Sequence, residues 1–169
     1  FFPELARAVE DTSNKHGYTF ILCNTDNDPK KESAYLNALL QKSIDGILLV
    51  SNTMAPNAIK NLKVPIVALD RESHTDLTSV TVNNREGARQ AVQYLKDLGC
   101  QHIAHISGPT EVSSSQERLK GYLDEVQEDT WFQNKYIQTG NYSIDEAYQV
   151  TIRLLSSGLP VDGIFVAND

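Results

Sequence analysis

The sequence predicts an α/β fold in which helices cover a parallel sheet on both faces. Short apolar runs rich in strand-forming residues alternate with segments of helical spacing along almost the whole chain. The connections between them are short, as βα and αβ loops usually are. No Pro/Gly/Ser-rich linker or low-complexity tract interrupts the pattern. Strands that follow one another through helices pair in parallel and are buried on both faces.

The first half of the chain opens with a helix that begins at Pro3. Asp28 and Pro29 combine an N-cap with a proline in the first turn, which predicts the start of a second helix. A further, short helix is predicted over residues 55–62. Strands are predicted over residues 18–23, 47–50, 65–69 and 80–82.

The second half repeats the scheme. Apolar residues spaced by three and four from Ala88 onward predict a helix that Gly99 ends. Two more helices start with a capping-box spacing, and Gly158 ends the second of them. The capping pairs are Ser114 with Glu117 and Ser143 with Glu146. Strands are predicted over residues 102–106, 135–138 and 163–167.

If the chain forms two lobes, the boundary falls at Asn83-Asn84, where one βα series closes and another opens. The lobes would then be residues 1–83 and 84–169. No strand precedes the first helix, and Asp169 stands where another helix is expected. We therefore expect a fold truncated at both ends, with the first strand missing from one lobe and the other lobe incomplete.

Composition and charge narrow the class of protein. The chain has 169 residues, enough to bury a core, and none of its apolar runs is long enough to span a membrane. Its net charge of −7 repels phosphate backbones, so this chain alone is not expected to bind nucleic acid tightly. Cys23, Cys100 and the four scattered histidines lack metal-ligand spacing, and the cysteines are interpreted as buried thiols. No secretory signal is visible, and a cytoplasmic location fits best.

Candidate ligand-binding residues follow the strands, because open parallel sheets bind ligands beyond the carboxyl ends of their strands. Most polar residues there, including Asn83-Asn84, are equally well interpreted as turn residues. Asp70 and Arg71 differ, since together they place an acceptor-only carboxylate beside a five-donor guanidinium. That pair suits a neutral polyol, whose hydroxyls donate and accept. A surface ion pair is the alternative.

Three other features have a functional and a structural interpretation. Arg118, in the first turn of a predicted helix, can point toward the strand ends, where the helix terminus adds donors. A phosphate cradle is the alternative, although no GxxxxGK[ST] pattern occurs. Phe1 and Phe2 form either a hydrophobic staple or an apolar wall for a sugar. The serines at 113–115 lack a G-x-S-x-G elbow and a paired base, which argues against an enzyme.

Nine segments, in order and at familiar spacing, resemble the ligand-binding core of the LacI/GalR transcriptional repressors. More distantly, they resemble the periplasmic ribose-binding proteins. The segments are FFPELARAVED (1–11), HGYTFILCNTDNDPKKESAYL (16–36), IDGILL (44–49), VPIVALDR (64–71), VNNREGAR (82–89), LGCQHIAHISGP (98–109), ERLKGY (117–122), TGNYS (139–143) and FVAND (165–169).

The resemblance implies a periplasmic-binding-protein-like fold of two lobes joined by three crossover strands, with an effector in the cleft between them. Only the first crossover, near Asn83, falls within this chain. It also implies a homodimer, paired partly through the first helix and residues 45–62. A helix-turn-helix that reads operator DNA would lie outside this chain. No catalytic residue, metal or cofactor is implied.

The family's binding residues carry over position by position. Phe1 and Phe2 match the aromatic pair that flanks the sugar ring, and Asp70 with Arg71 matches the pair that holds hydroxyls. The remaining matches are Arg118 of the R-L-x-G helix, Tyr142 of the G-[DN]-[FY] turn and Asn168 of the A-N-D turn. Purine-responsive relatives carry tryptophan at the position of Arg71, which argues against a purine effector.

These observations favour a cytoplasmic repressor that senses a small neutral sugar such as ribose, with no membrane contact. A periplasmic receptor of a sugar transport system is the alternative, and the start of the gene distinguishes them. Residues 98–104 and the VNNREGAR segment look more like repressors than like transport receptors. An enzyme acting on nucleotides or sugar phosphates comes third, because both a phosphate loop and an acid/base pair are missing from the sequence.

Overall fold

The computed structural model describes residues 2–26, 28–50, 62–70 and 77–168. Its α-helices are α1 (Phe2–Lys15), α2 (Pro29–Leu40), α3 (Asn84–Asp97), α4 (Ser113–Val126) and α5 (Ile144–Ser156). Its strands are β1 (Ile47–Leu49), β2 (Ile66–Leu69), β3 (Thr78–Val80), β4 (Ile103–Ser107), β5 (Ile137–Thr139) and β6 (Gly163–Val166). A single 3₁₀ turn over Asn134–Tyr136 precedes β5 in this part of the chain. None of these helices has the length and apolarity needed to cross a membrane.

The chain divides into two compact units, Phe1–Ile66 and Val67–Asp169. The predicted lobe boundary at Asn83 stays a prediction. In the first unit, the Asp28 carboxylate accepts a hydrogen bond from the backbone N–H of Lys30 at 2.8 Å, and Pro29 is the first residue of α2. The predicted start of this helix is therefore confirmed. The helix predicted over residues 55–62 lies almost wholly outside the described residues.

The strand predicted over residues 18–23 is wrong, because these residues belong to no strand of the structure. Tyr18, Ile21 and Leu22 are 57%, 54% and 69% exposed. A run of strand-forming residues becomes a strand only where a neighbouring strand supplies backbone partners and packing. No described segment pairs with residues 18–23.

In the second unit, the strand pairs run in parallel. β4 lies between β5 and β6, with His105 opposite both Ile137 and Phe165, and β2 pairs with β3. Two predicted strands are displaced. β3 ends at Val80 rather than Val82, because the chain turns there into α3, and β5 starts two residues late, because the 3₁₀ turn occupies residues 134–136.

Helices cover both faces of the sheet around β4, as predicted. Every residue of β4 is buried. Ile103 packs with Val92 of α3 and with Tyr122 and Val126 of α4. The next residue, Ala104, packs with Leu154 of α5. Since neighbouring residues of a strand face opposite sides of the sheet, α3 and α4 cover one face and α5 covers the other.

The helix ends confirm one capping prediction and correct the other. The Ser143 hydroxyl accepts from the N–H of Glu146 at 3.3 Å, so Ser143 caps α5 as predicted. The predicted cap at Ser114 is wrong. Val112 adopts the extended conformation that precedes α4, and Ser114 already lies in the first turn, where it is buried. Gly99 and Gly158, at positive φ of 96° and 77°, end α3 and α5 as predicted.

Two details correct or extend the sequence interpretation. Cys23 and Cys100 are free thiols, but each is only partly buried. Gly121 lets α4 approach α3 closely, since a Cβ there would lie 2.2 Å from the main-chain oxygen of Arg85. The α3–α4 pair also carries a bidentate ion pair between Arg85 and Asp124, at 2.6 and 2.7 Å.

Candidate functional site

A cleft of about 340 Å³ opens within the second unit where β2 and β3 end and where α3 and α4 begin. Eight of its nine lining residues are polar or charged, so it presents many hydrogen-bonding groups to a ligand. The lining residues are Asp70, Thr81, Val82, Asn83, Asn84, Arg85, Ser113, Ser114 and Glu117.

Asp70 is the predicted site residue that lines this cleft. It directly follows β2 at a φ of 56°, in the left-handed region that only short polar residues and glycine tolerate well. Its N–H donates to the carbonyl oxygen of Val80 at 2.9 Å, which ties the turn to the end of β3. Arg71, its predicted partner, lies outside the described residues, as does Phe1.

Asn83 and Asn84 line the cleft beside Asp70. The Asn83 side chain caps α3 by accepting from the N–H of Glu86 at 3.1 Å. The Asn84 amide donates to the Val82 carbonyl at 3.3 Å and accepts from Arg118 at 2.9 Å. Both asparagines are among the polar residues predicted beyond the strand ends, but their residue type alone does not distinguish a ligand contact from a turn residue. Sequence reasoning does not predict Ser113, Ser114 and Glu117 as site residues, because their place in the cleft depends on how α4 packs.

Arg118 links three elements at this end of the unit. Its Nε donates to Asn84 Oδ1 at 2.9 Å, and its Nη1 donates to the main-chain oxygen of Ala167. It therefore holds α4 against the first residue of α3 and the end of β6. Asn168, the next predicted site residue, directly follows Ala167 and has interactions of its own. The structure thus places Arg118 beside the amide of Asn84, a cleft-lining residue, and beside the residue that precedes Asn168.

Tyr142 lies at the same edge of the sheet, over the end of β4. A Cβ on Gly108 would lie 2.3 Å from the Tyr142 ring, so the ring rests directly on that glycine. Asn141 and Tyr142 both adopt positive φ, 51° and 57°, which turns the chain back toward the sheet after β5. Arg118, Tyr142 and Asn168 therefore share the carboxyl edge of the β4 sheet.

Phe2 lies in the other unit, at the start of α1, and is 55% exposed. Its predicted contact with the ligand stays a prediction. In the part of the chain that the structure describes, no three His, Cys, Asp or Glu side chains are grouped as metal ligands.

Comparisons with known proteins agree with the resemblance. Residues 1–169 match the family model "Periplasmic binding proteins and sugar binding domain of LacI family". The ribose operon repressor of Halalkalibacterium halodurans is 42% identical over 169 residues, which are 100% of this chain and 50% of that protein. Catabolite control protein A of Priestia megaterium is 34% identical over 100% of this chain and 53% of that protein.

A solved structure shows the same fold. The transcription regulator CcpA of Lactococcus lactis superposes with a TM-score of 0.86 at 29% identity, over 98% of this chain and 62% of that one. The chain spans about half the length of the curated relatives it matches. The match over every residue, the parallel strands covered by helices and the polar cleft at the strand ends lead to one conclusion. This chain belongs to the family of periplasmic binding proteins and LacI-family sugar-binding domains.

Proposed function

We propose that this chain is the effector-sensing part of a LacI-type transcriptional repressor and that its effector is a small neutral sugar, ribose first. The observation that carries the proposal is the polar cleft beside Asp70. The identity of 42% with a protein named as a ribose operon repressor supports the choice of sugar.

The chemistry of the cleft suits a sugar. Asp70 and Glu117 offer acceptors, Asn83 and Asn84 carry amides, and the serines offer hydroxyls. A sugar hydroxyl both donates and accepts, so it can satisfy either kind of group and leave few of them unpaired on binding. A cleft of about 340 Å³ lies at the small end of ligand pockets, which suits a monosaccharide.

The predicted residues outside the cleft lining complete the proposed site. Arg118 offers its remaining N–H groups, Asn168 its amide and Tyr142 an aromatic face for the apolar side of the sugar ring. Phe1, Phe2 and Arg71 enter the proposal through the resemblance alone.

The regulator would act in the cytoplasm as a homodimer that reads operator DNA through a helix-turn-helix outside this chain. A net charge of −7 makes this segment itself a poor partner for DNA. We propose a repressor rather than a periplasmic transport receptor because two of the relatives reported above are named as a repressor and a transcription regulator. The first residues encoded by the gene distinguish the two, as a helix-turn-helix or as a signal peptide.

The direct test is calorimetry on the protein encoded by the complete gene, with ribose, other pentoses and hexoses. We expect saturable binding of ribose in preference to hexoses, and a change in operator binding when ribose is added. Asp70→Asn should weaken ribose binding by about tenfold or more, since a charged acceptor is lost. Asp145→Asn, an equal charge change on the exposed start of α5, should not. Absence of binding by any sugar would reject the proposal.

A further inference from the structure

The cleft lies at two helix N-termini, and these by themselves would attract an anion. α3 begins at Asn84 and α4 at Ser113, and both residues line the cleft. The N-terminus of a helix carries a partial positive charge and unpaired N–H groups, which is the usual setting for a bound phosphate. In α3 the Asn83 side chain already accepts from one of these groups, the N–H of Glu86, whereas Val112, the cap of α4, provides no side-chain acceptor.

The charged side chains of the cleft oppose this attraction. Asp70, Arg85 and Glu117 are its charged lining residues. Both oxygens of Asp124 accept from Arg85, at 2.6 and 2.7 Å, so the positive charge of Arg85 is balanced by a carboxylate that does not line the cleft. This bidentate pair also lowers the pKa of Asp124. Among the residues that line the cleft, two carboxylates, on Asp70 and Glu117, are left to face the ligand. Arg118 of the proposed site, which does not line the cleft, is the opposing cation.

Glu117 is the fifth residue of α4, one turn from its N-terminus. Its negative charge there offsets part of the positive potential that the helix N-terminus presents to a ligand. The side chain is 29% exposed, and its Oε1 accepts from Lys120 at 2.6 Å. Lys120 is three residues further on, is 54% exposed and does not line the cleft. An exposed pair of this kind is weak and screened by salt, so Lys120 offsets the carboxylate only in part. Oε2 remains available to accept from a ligand hydroxyl.

We infer that Glu117 is a specificity-determining residue that makes this cleft select an uncharged sugar over its phosphorylated form. The inference rests on the proposed function. Glu117 accepts a hydrogen bond from a neutral sugar and repels a phosphate that the two helix N-termini would otherwise hold. Asp70 binds the sugar in either case, and Glu117 decides whether the anion is admitted.

The test compares ribose with ribose 5-phosphate by calorimetry on the protein encoded by the complete gene. We expect the unmodified protein to bind ribose about tenfold or more tightly than ribose 5-phosphate. Glu117→Gln keeps the shape and a hydrogen-bonding oxygen but removes the charge, and it should close most of that gap by strengthening phosphate binding. Glu128→Gln makes the same charge change at an exposed position past the end of α4 and should leave the ratio unchanged.

Salt provides a second readout, which a purely structural role of Glu117 would not affect. Raising the salt from about 0.05 M to about 0.5 M shortens the range of the repulsion, so the preference of the unmodified protein for ribose should shrink. If the protein binds ribose but Glu117→Gln leaves the ratio of the ribose and ribose 5-phosphate affinities unaltered, the inference is overturned and the proposed function is kept. Tighter binding of ribose 5-phosphate by the unmodified protein would overturn it as well. Binding of neither compound would reject the proposed function and the inference with it.

Discussion

The Nδ1 atom of His105 lies 3.0 Å from the main-chain oxygen of Phe165, its neighbour across the parallel pair β4–β6. The imidazole is fully buried, stacked on the ring of Tyr122 at 5.1 Å and on that of Phe165 at 4.9 Å. Its Nε2 has no hydrogen-bond partner among the described residues. A neutral ring that donates from Nδ1 fits this site, whereas a protonated ring would carry a second N–H with nothing to accept from it.

The first prediction is a loss of stability in mild acid that depends on His105. Burial lowers the pKa of His105 to about 4, against the smaller opposing effect of its bond to Phe165. In the unfolded chain the pKa of this histidine is near 6.5, so between pH 6.5 and pH 4 the unfolded chain binds more protons than the folded one. The contribution of His105 to the free energy of unfolding is therefore fully present above pH 6.5 and is lost as the pH falls toward 4. From pH 8 to pH 5 the free energy of unfolding should fall by about 2 kcal/mol through this residue.

Urea unfolding at several pH values measures the effect. His105→Phe keeps an aromatic ring in the stack and should remove this part of the pH dependence. His16→Gln, a change at an exposed histidine after α1, should retain it. Equal pH dependence in the unmodified protein and His105→Phe would contradict the assignment.

The second prediction concerns the packing of α3 on α4. Gly121→Ala would place a Cβ 2.2 Å from the Arg85 oxygen and 2.8 Å from the Ala88 Cβ. The two helices must move apart, and we expect a cost of about 1–3 kcal/mol in the free energy of unfolding. Gly87→Ala is the matched control in the facing helix, where a Cβ meets nothing within 4 Å. It should be neutral or stabilise by up to about 1 kcal/mol. Similar stabilities for the two variants, measured by denaturant unfolding, would show that the approach at Gly121 is unimportant.

The third prediction separates the site from the fold at Tyr142. Gly108→Ala would overlap the outer part of the Tyr142 ring, at 2.3 Å, and this flexible side chain can swing aside. Stability should therefore change little, whereas ribose affinity should fall by several-fold, about as much as in Tyr142→Ala, since the stacking surface is lost. The same Gly87→Ala control should bind ribose normally. A Gly108→Ala protein of unchanged affinity would remove Tyr142 from the proposed site.

The fourth prediction tests the geometry of Arg118. This guanidinium bonds Asn84 and Ala167 at once, which the single ammonium of lysine cannot reproduce in the same planar arrangement. We expect both Arg118→Ala and Arg118→Lys to weaken ribose binding, the former by about 2 kcal/mol or roughly thirtyfold. Calorimetry checks the affinity, and thermal unfolding checks that each variant is folded. Full affinity in Arg118→Lys would mean that charge alone matters at this position.

Local features of this chain could be predicted from its residues because they depend on neighbours a few positions away. The cap of Asp28 on α2 and that of Ser143 on α5 need only the first turn of each helix, and Gly99 and Gly158 end helices through their own backbone freedom. The alternation of strands and helices predicted parallel pairing for a different reason: a helix between two strands returns the chain to the same edge of the sheet. Asp70 was predicted as a site residue because, together with Arg71, it directly follows a predicted strand, and the structure places it in the lining of the cleft.

Other features were decided only when distant segments came together. Residues 18–23 have the composition of a strand, but a strand also needs a paired neighbour. Glu117 and Asn84 had no visible relation to Asp70 until α3 and α4 packed with their N-termini at one cleft. Arg118 donates to an acceptor 49 positions away, and the pKa of His105 is lowered because residues from two other elements bury its ring. Spacing along the chain cannot encode such relationships, because burial and pairing arise from contacts between residues far apart in sequence.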